Sequence, residues 1–425
     1  MPGLDAAVAQ VNGDFEPVFL SRLQERGHLG IKCGLENIQA LLEGLGRPDR
    51  GYPVVLIAGT NGKGSTGAFL AHMLKAAGFV VGWTTSPHLA DVTERIWVDG
   101  EPIGAGALDL LLGEAFAAEE QAGLRATYFE LMMTAALSAY RKTGVEVALV
   151  EVGMGGRWDA SNATDPILTL LTTVGLDHQQ YLGDTREAIA REKLCTARDG
   201  RPLVLGPTLD PDWIHPLLSC TPTLHPAPRL GPADIRWDHS RIQGKRVGLA
   251  GLHQLDNLAT AFEAIRQLQA LGFPISDDRL WSGVAQARWP GRLWKVPGLE
   301  SVWMDGAHNP DGARALAEHA LACGVRPHLV FGAMGDKDLA GVALELKRMR
   351  PLSVTFVQGE AARYATAHDL RAAWVLDAPM LTLPEAAAQL REPVEAPRLV
   401  TGSLYLLGDL LRELGIRPYL GLVSK

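Results

Sequence analysis

The chain has 425 residues, 47% of them hydrophobic and 21% charged, with a formal net charge of −8. This is an ordinary globular composition, long enough for two or three domains. The acidic balance disfavours a nucleic-acid partner, and neither a run of about 18 apolar residues nor a charged-then-apolar leader points to a membrane or to export.

The cysteines Cys33, Cys195, Cys220 and Cys323 are scattered, with no CxxC pair. Reduced thiols of a cytoplasmic enzyme are expected, rather than disulfides or a zinc site.

Taken in order, the chain opens with apolar residues at helical spacing. They run through Val18, Leu20 and Leu23, then through Leu35, Ile38, Leu41 and Leu42. Gly44, Gly46 and Pro48 end the second run. Residues 52–68 then read Y-P-V-V-L-I-A-G-T-N-G-K-G-S-T-G-A. The spacing predicts a strand over 54–57, a glycine turn, and a helix through Phe69, Leu70, Met73 and Leu74.

Such a turn holds a nucleotide phosphate. Gly59, Gly62 and Gly64 let backbone N–H groups, with Thr60 and Asn61 between them, close around an anion. The helix N-terminus adds partial positive charge. Lys63 can reach the terminal phosphates, and Ser65 or Thr66 can bind Mg²⁺. The spacing departs from the common P-loop: Ile57 stands where its first glycine would be, and Gly64 separates Lys63 from Ser65. A glycine-rich strand-to-helix turn with a surface lysine is the alternative.

A strand is predicted over 80–85, with Ser86, Pro87 and His88 in the loop at its C-terminal end, followed by Arg95. In an open parallel sheet that end binds ligands, although an ordinary polar loop fits as well. Helices are predicted over 104–122 and 128–142, the second with Thr127 and Glu130 at capping-box spacing. The strand over 145–152 carries Glu151 near its end. Burying that carboxylate requires a metal or an ion pair. A strand over 167–174 leads into Gly175-Leu-Asp-His178, and a helix over 185–198 carries Glu192 and Lys193. Mg²⁺ prefers oxygen donors, so His178 would be an unusual ligand.

Seven prolines make 207–232 irregular, and short strands are expected over 233–250. A helix opens at His253-Gln-Leu-Asp-Asn257 and runs through Ala261, Ile265 and Leu268. Trp289-Pro-Gly-Arg292 reads as a turn and domain boundary, because a strand–helix alternation restarts after it. Strands follow at 302–305, 327–332, 352–358, 379–382 and 397–401, with Gly306-Ala-His-Asn-Pro310 after the first. The alternation predicts a second α/β domain with a largely parallel sheet. The loops 334–338 and 401–404 stand out within it.

Nine motifs in one order carry a resemblance: G-T-N-G-K-G-S-T (59–66), S-P-H-L (86–89), T-Y-F-E (127–130), E-V-G-M-G-G-R-W-D-A (151–160), G-L-D-H (175–178), H-Q-L-D-N (253–257), P-G-R (290–292), D-G-A-H-N-P (305–310) and T-G-S-L-Y (401–405). Together they resemble the folylpolyglutamate synthase/dihydrofolate synthase family of the Mur-ligase superfamily, over nearly the whole chain. The resemblance implies an α/β fold. A P-loop ATPase and folate-binding domain with a mostly parallel sheet would span 1–292, and a smaller Rossmann-like glutamate-ligase domain 293–425.

It also implies ATP-dependent, ADP-forming ligation of L-glutamate to dihydropteroate, to reduced folates, or to both, through an acyl phosphate. Lys63 and the 59–66 backbone would hold the phosphates. Ser65, Glu151 and His178 would bind Mg²⁺, and Lys193, if carbamylated, a second Mg²⁺; K⁺ is a further cofactor candidate. Asn257 and Asp305 resemble adenine and ribose contacts, and Arg292 a phosphate contact at the hinge. His308 and Ser403 match glutamate-binding positions. Ser86, His88, Phe129, Asp159 and Ala160 lie where the pterin–benzoyl substrate sits. Lys63, Lys193, Arg292 and His308 form the implied catalytic set, in a monomer.

The family's E-K-A-G-I reads here Glu192-Lys-Leu-Cys-Thr196. A cell-wall Mur-type amino-acid ligase is the nearest alternative, but only 58 residues precede Gly59, too few for the extra UDP-sugar domain. An ATP-binding switch without ligase chemistry would need no residues resembling a glutamate site.

Overall fold

The computed structural model describes residues 17–26, 33–231 and 233–418; the expected helical region before 17 and at 27–32, Pro232, and the end of the expected C-terminal domain lie outside them. An eight-stranded sheet has the order β4-β3-β2-β5-β1-β6-β7-β8. Its central strands are β1 (Val54–Ala58), β2 (Val81–Thr84), β5 (Val147–Glu151), β6 (Leu168–Leu171) and β7 (Pro202–Leu205). These pair in parallel, as does the edge strand β8 (Thr223–Pro226).

β1 is buried throughout because both faces are covered. Val55 and Ile57 pack with the Lys63–Ala76 and Gln254–Ala270 helices, while Val54, Leu56 and Ala58 join the Ala105–Ala122 and Tyr128–Thr143 helices. Thr127 caps the latter as expected, in a capping box with Glu130.

A three-stranded antiparallel sheet of β9 (Ala233–Ile235), β10 (Ser240–Ile242) and β11 (Lys245–Val247) occupies the predicted 233–250 excursion. Beyond it lies a second sheet of β12 (Trp294–Lys295), β13 (Val302–Asp305), β14 (His328–Phe331), β15 (Ser353–Gln358), β16 (Met380–Thr382) and β17 (Arg398–Thr401), in the order β12-β13-β17-β14-β15-β16. All its pairs are parallel except β12 with β13. Separate apolar clusters cover its two faces. The chain is thus an α/β protein with two largely parallel sheets.

Several elements differ from expectation. The helix predicted over 185–198 is Arg186–Leu194, with Thr185 as its side-chain cap. The proline-rich stretch is not wholly irregular, since it supplies β8. An antiparallel hairpin, β3 (Ile96–Val98) with β4 (Glu101–Pro102), and the Asp277–Gln286 helix were not anticipated.

Candidate functional site

The site forms where β1, β5 and β6 end. Their register sets Ile57 beside Glu151 and Ala58 beside Leu171, so the following loops emerge together. After β1 the turn needs glycine: Gly59 has φ +147° and Gly62 φ +89°. A Cβ at Gly62 would lie 2.3 Å from Asn257 Oδ1, and one at Gly64 2.6 Å from Trp289 Nε1. Thr60 Oγ1 accepts from Gly175 N at 3.0 Å, and Asn61 N donates to Thr173 Oγ1 at 2.9 Å. Lys63 Nζ donates to Gly59 O and Thr60 O at 3.1 and 3.3 Å, which places the cation over the turn. Ser65 and Thr66 are buried in the first turn of the helix, and Thr66 Oγ1 has no partner among the described residues.

Glu151 is 4% exposed at the end of β5. Burial pushes its carboxyl up to about 7, against the pull of Lys63, Arg292 and Arg95. A small, solvent-open cavity is lined by Glu151, Gly64, Ser86, Trp289, Arg292 and Leu404, among others, and so joins both sheets. Arg292 is half-buried beside Gly306, its guanidinium pushed down by desolvation against the attraction of Asp305 and Glu151. Lys193 is buried; burial and then the charge of Lys63 push its amine down to about 7.

The loops after β1 and β6 meet those after β13 and β14. Asn61 and Asn309 exchange amide hydrogen bonds at 3.2 and 3.0 Å. Asp177 accepts from Lys337 Nζ at 2.8 Å and Asn309 Nδ2 at 3.2 Å, and its Oδ2 lies 3.5 Å from His308 Nε2. Burial raises the Asp177 carboxyl, but the His308 hydrogen bond and the charges of His308 and Lys337 hold it well below the usual carboxylate range. His178 begins the short Gln179–Leu182 helix in the left-handed region, φ 52°. Burial, countered by Asp177, pushes its imidazole down to about 4 and keeps it neutral at pH 7.

The remaining sequence candidates divide. Phe129 packs against Gly153 beside Asp159: a Cβ on Gly153 would lie 2.8 Å from the ring and 3.1 Å from Asp159 Oδ2. Asp159 caps the Ala160–Ala163 turn, accepting from Met154 N and Ser161 N, so its oxygens already have local partners. Ser86 lines the cavity, and His88 Nδ1 accepts from Arg95 Nε at 2.9 Å. Asn257 donates to Gln254 Oε1 and abuts the phosphate turn. The carboxylate of Asp305 accepts from Leu293 N and Ala307 N at 2.8 and 2.9 Å, so it orders the hinge as well as being a nucleotide candidate. Ser403 caps the Leu404–Leu414 helix through Tyr405 N.

Sequence reasoning assigned no role to Asp177, Lys337, Glu94 or Trp289. Asp177 and Lys337 lay in loops it had singled out, but only tertiary structure pairs them.

The donor set suits a hard cation in part. Among the described residues no group of three His, Cys, Asp or Glu side chains gathers into a metal cluster. The implied set has only Glu151 and His178 of these types, completed by the Ser65 hydroxyl. The neutral His178 is in the state that ligates a cation, whereas Glu151, which burial keeps protonated up to about pH 7, must release its proton to do so.

Comparison with known proteins matches this layout. Residues 57–195 match the Mur ligase middle domain and residues 291–400 the Mur ligase glutamate ligase domain. The dihydrofolate synthase/folylpolyglutamate synthase of Bacillus subtilis is 31% identical over 93% of this chain and 98% of its own length. The chain belongs to the folylpolyglutamate synthase/dihydrofolate synthase family. A family relative from Haloferax volcanii, a probable bifunctional folylpolyglutamate synthase/dihydropteroate synthase, is 37% identical over 72% of this chain, which spans only 39% of that protein. Among solved members of the family, Escherichia coli FolC in complex with DHPP and ADP aligns with TM-score 0.80 and 28% identity, over 94% of this chain and 99% of that one. A bifunctional enzyme with Mn, AMPPNP and L-glutamate bound aligns with TM-score 0.80 and 28% identity, over 95% and 100%.

Proposed function

We propose that this chain is an ADP-forming ligase that joins L-glutamate to dihydropteroate, to reduced folates, or to both, as a monomer in the cytoplasm. The observation that supports the reading most is the meeting of the phosphate turn, Glu151 and Arg292 with His308 and the hinge in one seam between the two sheets. A nucleotide switch has no need of the second sheet at its phosphate turn. We place the domain boundary at Arg292, with 1–292 as the ATPase and folate-binding domain and 293–425 as the glutamate-ligase domain.

In this reading the pterin-side carboxylate attacks the γ-phosphorus, ADP leaves, and an acyl phosphate forms. The glutamate amine then attacks the acyl carbon, releasing phosphate and a proton. Lys63 and the backbone N–H groups of the turn hold the transferring phosphoryl group, and Arg292 offsets the charge that develops on it. Phe129, with Ser86, His88, Asp159 and Ala160, orients the pterin–benzoyl group. His308 and Ser403 hold glutamate, while Asn257 and Asp305 face the nucleoside. Mg²⁺, which Ser65, Glu151, His178 and a carbamylated Lys193 would hold, supplies charge neutralisation of the phosphate oxygens when bound. Closure of the two sheets removes water from the acyl phosphate.

The test is isotopic. Dihydropteroate carrying ¹⁸O in its carboxylate should pass one label to inorganic phosphate for each glutamate joined. Unlabelled phosphate beside ligated product would exclude the acyl-phosphate route.

A further inference from the structure

The seam holds a buried charge cluster in which the proposed chemistry gives His308 a task but leaves Asp177 and Lys337 without one. Asp177 sits after β6 on the first sheet, and its side chain is only 10% exposed. Its Oδ1 accepts from its neighbour's backbone, His178 N at 2.9 Å, and from Lys337 Nζ at 2.8 Å. Its Oδ2 accepts from Asn309 Nδ2 at 3.2 Å and faces His308 Nε2 at 3.5 Å. Lys337, His308 and Asn309 all belong to loops of the second sheet. Both carboxylate oxygens are therefore committed; apart from His178 Nε2, 4.0 Å from Oδ1 on the same loop, the side chains that face them come from the other side of the seam.

The same side chains are tied to the reacting groups. Asn309 also pairs with Asn61 in the phosphate turn. His308 Nδ1 lies 2.8 Å from Gly306 O, which fixes the ring's second nitrogen toward Asp177. Beside them Gly175 meets the start of the Pro310–Ala322 helix so closely that a Cβ would fall 2.1 Å from Asp311 Oδ2. The seam is one continuous contact, with Asp177 at the point where it carries charge. Lys337 is 14% exposed and so largely removed from water. Breaking such a pair leaves an uncompensated charge, which favours opening.

We propose that Asp177 is a positioning residue: it is the catch by which the first sheet draws Lys337 and His308 of the second sheet onto the phosphate turn and holds them in register for glutamate attack. The proposal rests on the ligase reading for its kinetic consequence but not for its structural one. Asp177→Asn leaves no rotamer that satisfies the cluster, because the amide N–H₂ faces donors whichever way it is turned. The ATP phosphates are held by the first sheet's own turn, and Asp305 and Arg292 lie at the hinge rather than at the catch, so nucleotide affinity should depend little on it.

The experiment measures Asp177→Asn, Lys337→Met and the double variant beside the wild-type enzyme. Small-angle X-ray scattering with AMPPNP and Mg²⁺ gives the radius of gyration. Fluorescent-nucleotide titration gives ATP-site affinity, and steady-state assays give kcat and the glutamate KM. Each single variant should be more extended than the wild type. Each should lose kcat on the order of 100-fold and raise the glutamate KM, with nucleotide affinity unchanged to within about two-fold. The double variant should be no worse than the singles, since both break one contact.

Wild-type compactness, kcat and glutamate KM in Asp177→Asn would overturn the proposal, as would fully additive losses in the double variant. If Asp177→Asn does not fold, Lys337→Met decides from the other side of the seam, and a compact, fully active Lys337→Met overturns the catch. If the wild type itself ligates nothing, the ligase reading fails, while the scattering comparison still decides the catch.

Discussion

Glu151→Gln should stabilise the ligand-free protein while abolishing its activity. The carboxylate is 4% exposed, and burial lifts it from an ordinary 4.5 to about 7. As pH rises through 4.5 the unfolded chain releases this proton, but the folded protein holds it until about 7. Folding therefore loses stability across that window, and the loss is complete above it. A shift of this size corresponds to about 3 kcal/mol at pH 8. Glutamine is nearly isosteric and cannot ionise, so it escapes the loss. By differential scanning calorimetry without nucleotide or metal, Glu151→Gln should melt about 5 °C higher than the wild type at pH 8. Near pH 4.5 the two should converge. Mg²⁺ with AMPPNP should reverse the order, because only the carboxylate gains a cation. Equal melting at pH 8, or a difference that persists at pH 4.5, would refute the buried, unpaired carboxylate on which the proposed metal role depends.

Other substitutions probe the surroundings. Gly62→Ala forces a side chain into φ +89° and against Asn257 Oδ1. It should weaken nucleotide binding by roughly 1–3 kcal/mol in a titration, with the pterin KM little changed. Glu94 is buried and accepts from the backbone N–H groups of Leu89, Ala90 and Asp91, which shapes the loop beyond His88. Glu94→Gln turns an acceptor into a donor there. At about 1–3 kcal/mol it should raise the pterin KM roughly ten-fold or more while leaving the nucleotide Kd unchanged. Lys193 is held down to about 7 by burial and Lys63, so its amine is neutral above that pH and able to take up CO₂. Activity in bicarbonate should rise through pH 7, and intact-mass analysis at pH 8 should show the carbamate; a rate indifferent to bicarbonate would count against it.

Much of the fold was legible because it is written locally. The glycines of 59–64 demand a tight turn between strand and helix, of the kind that can close around an anion, and β1, β5 and β6 are apolar runs of strand length. Thr127 and Glu130 cap a helix wherever it packs. What escaped depends on distant partners. β8 is a strand only because β7 offers it an edge, with Leu203 beside Leu224. The Asp277–Gln286 helix owes its place to the Lys63–Ala76 helix, where Gly283 lets the backbones touch, a Cβ there falling 2.5 Å from His72 O. Asp305 reads as a ligand contact, yet its oxygens take the N–H groups of Leu293 and Ala307. Asp177 and Lys337 are 160 residues apart, and no spacing rule joins them.

The most direct measurement of the central claim is ADP release with ATP, Mg²⁺ and L-glutamate, run with dihydropteroate, with tetrahydrofolate and with neither, and with product masses recorded. ADP release that requires a pterin acceptor, with one glutamyl unit gained by each acceptor that supports it, is the predicted result. ADP release indifferent to pterin and glutamate, with no ligated product, would contradict it.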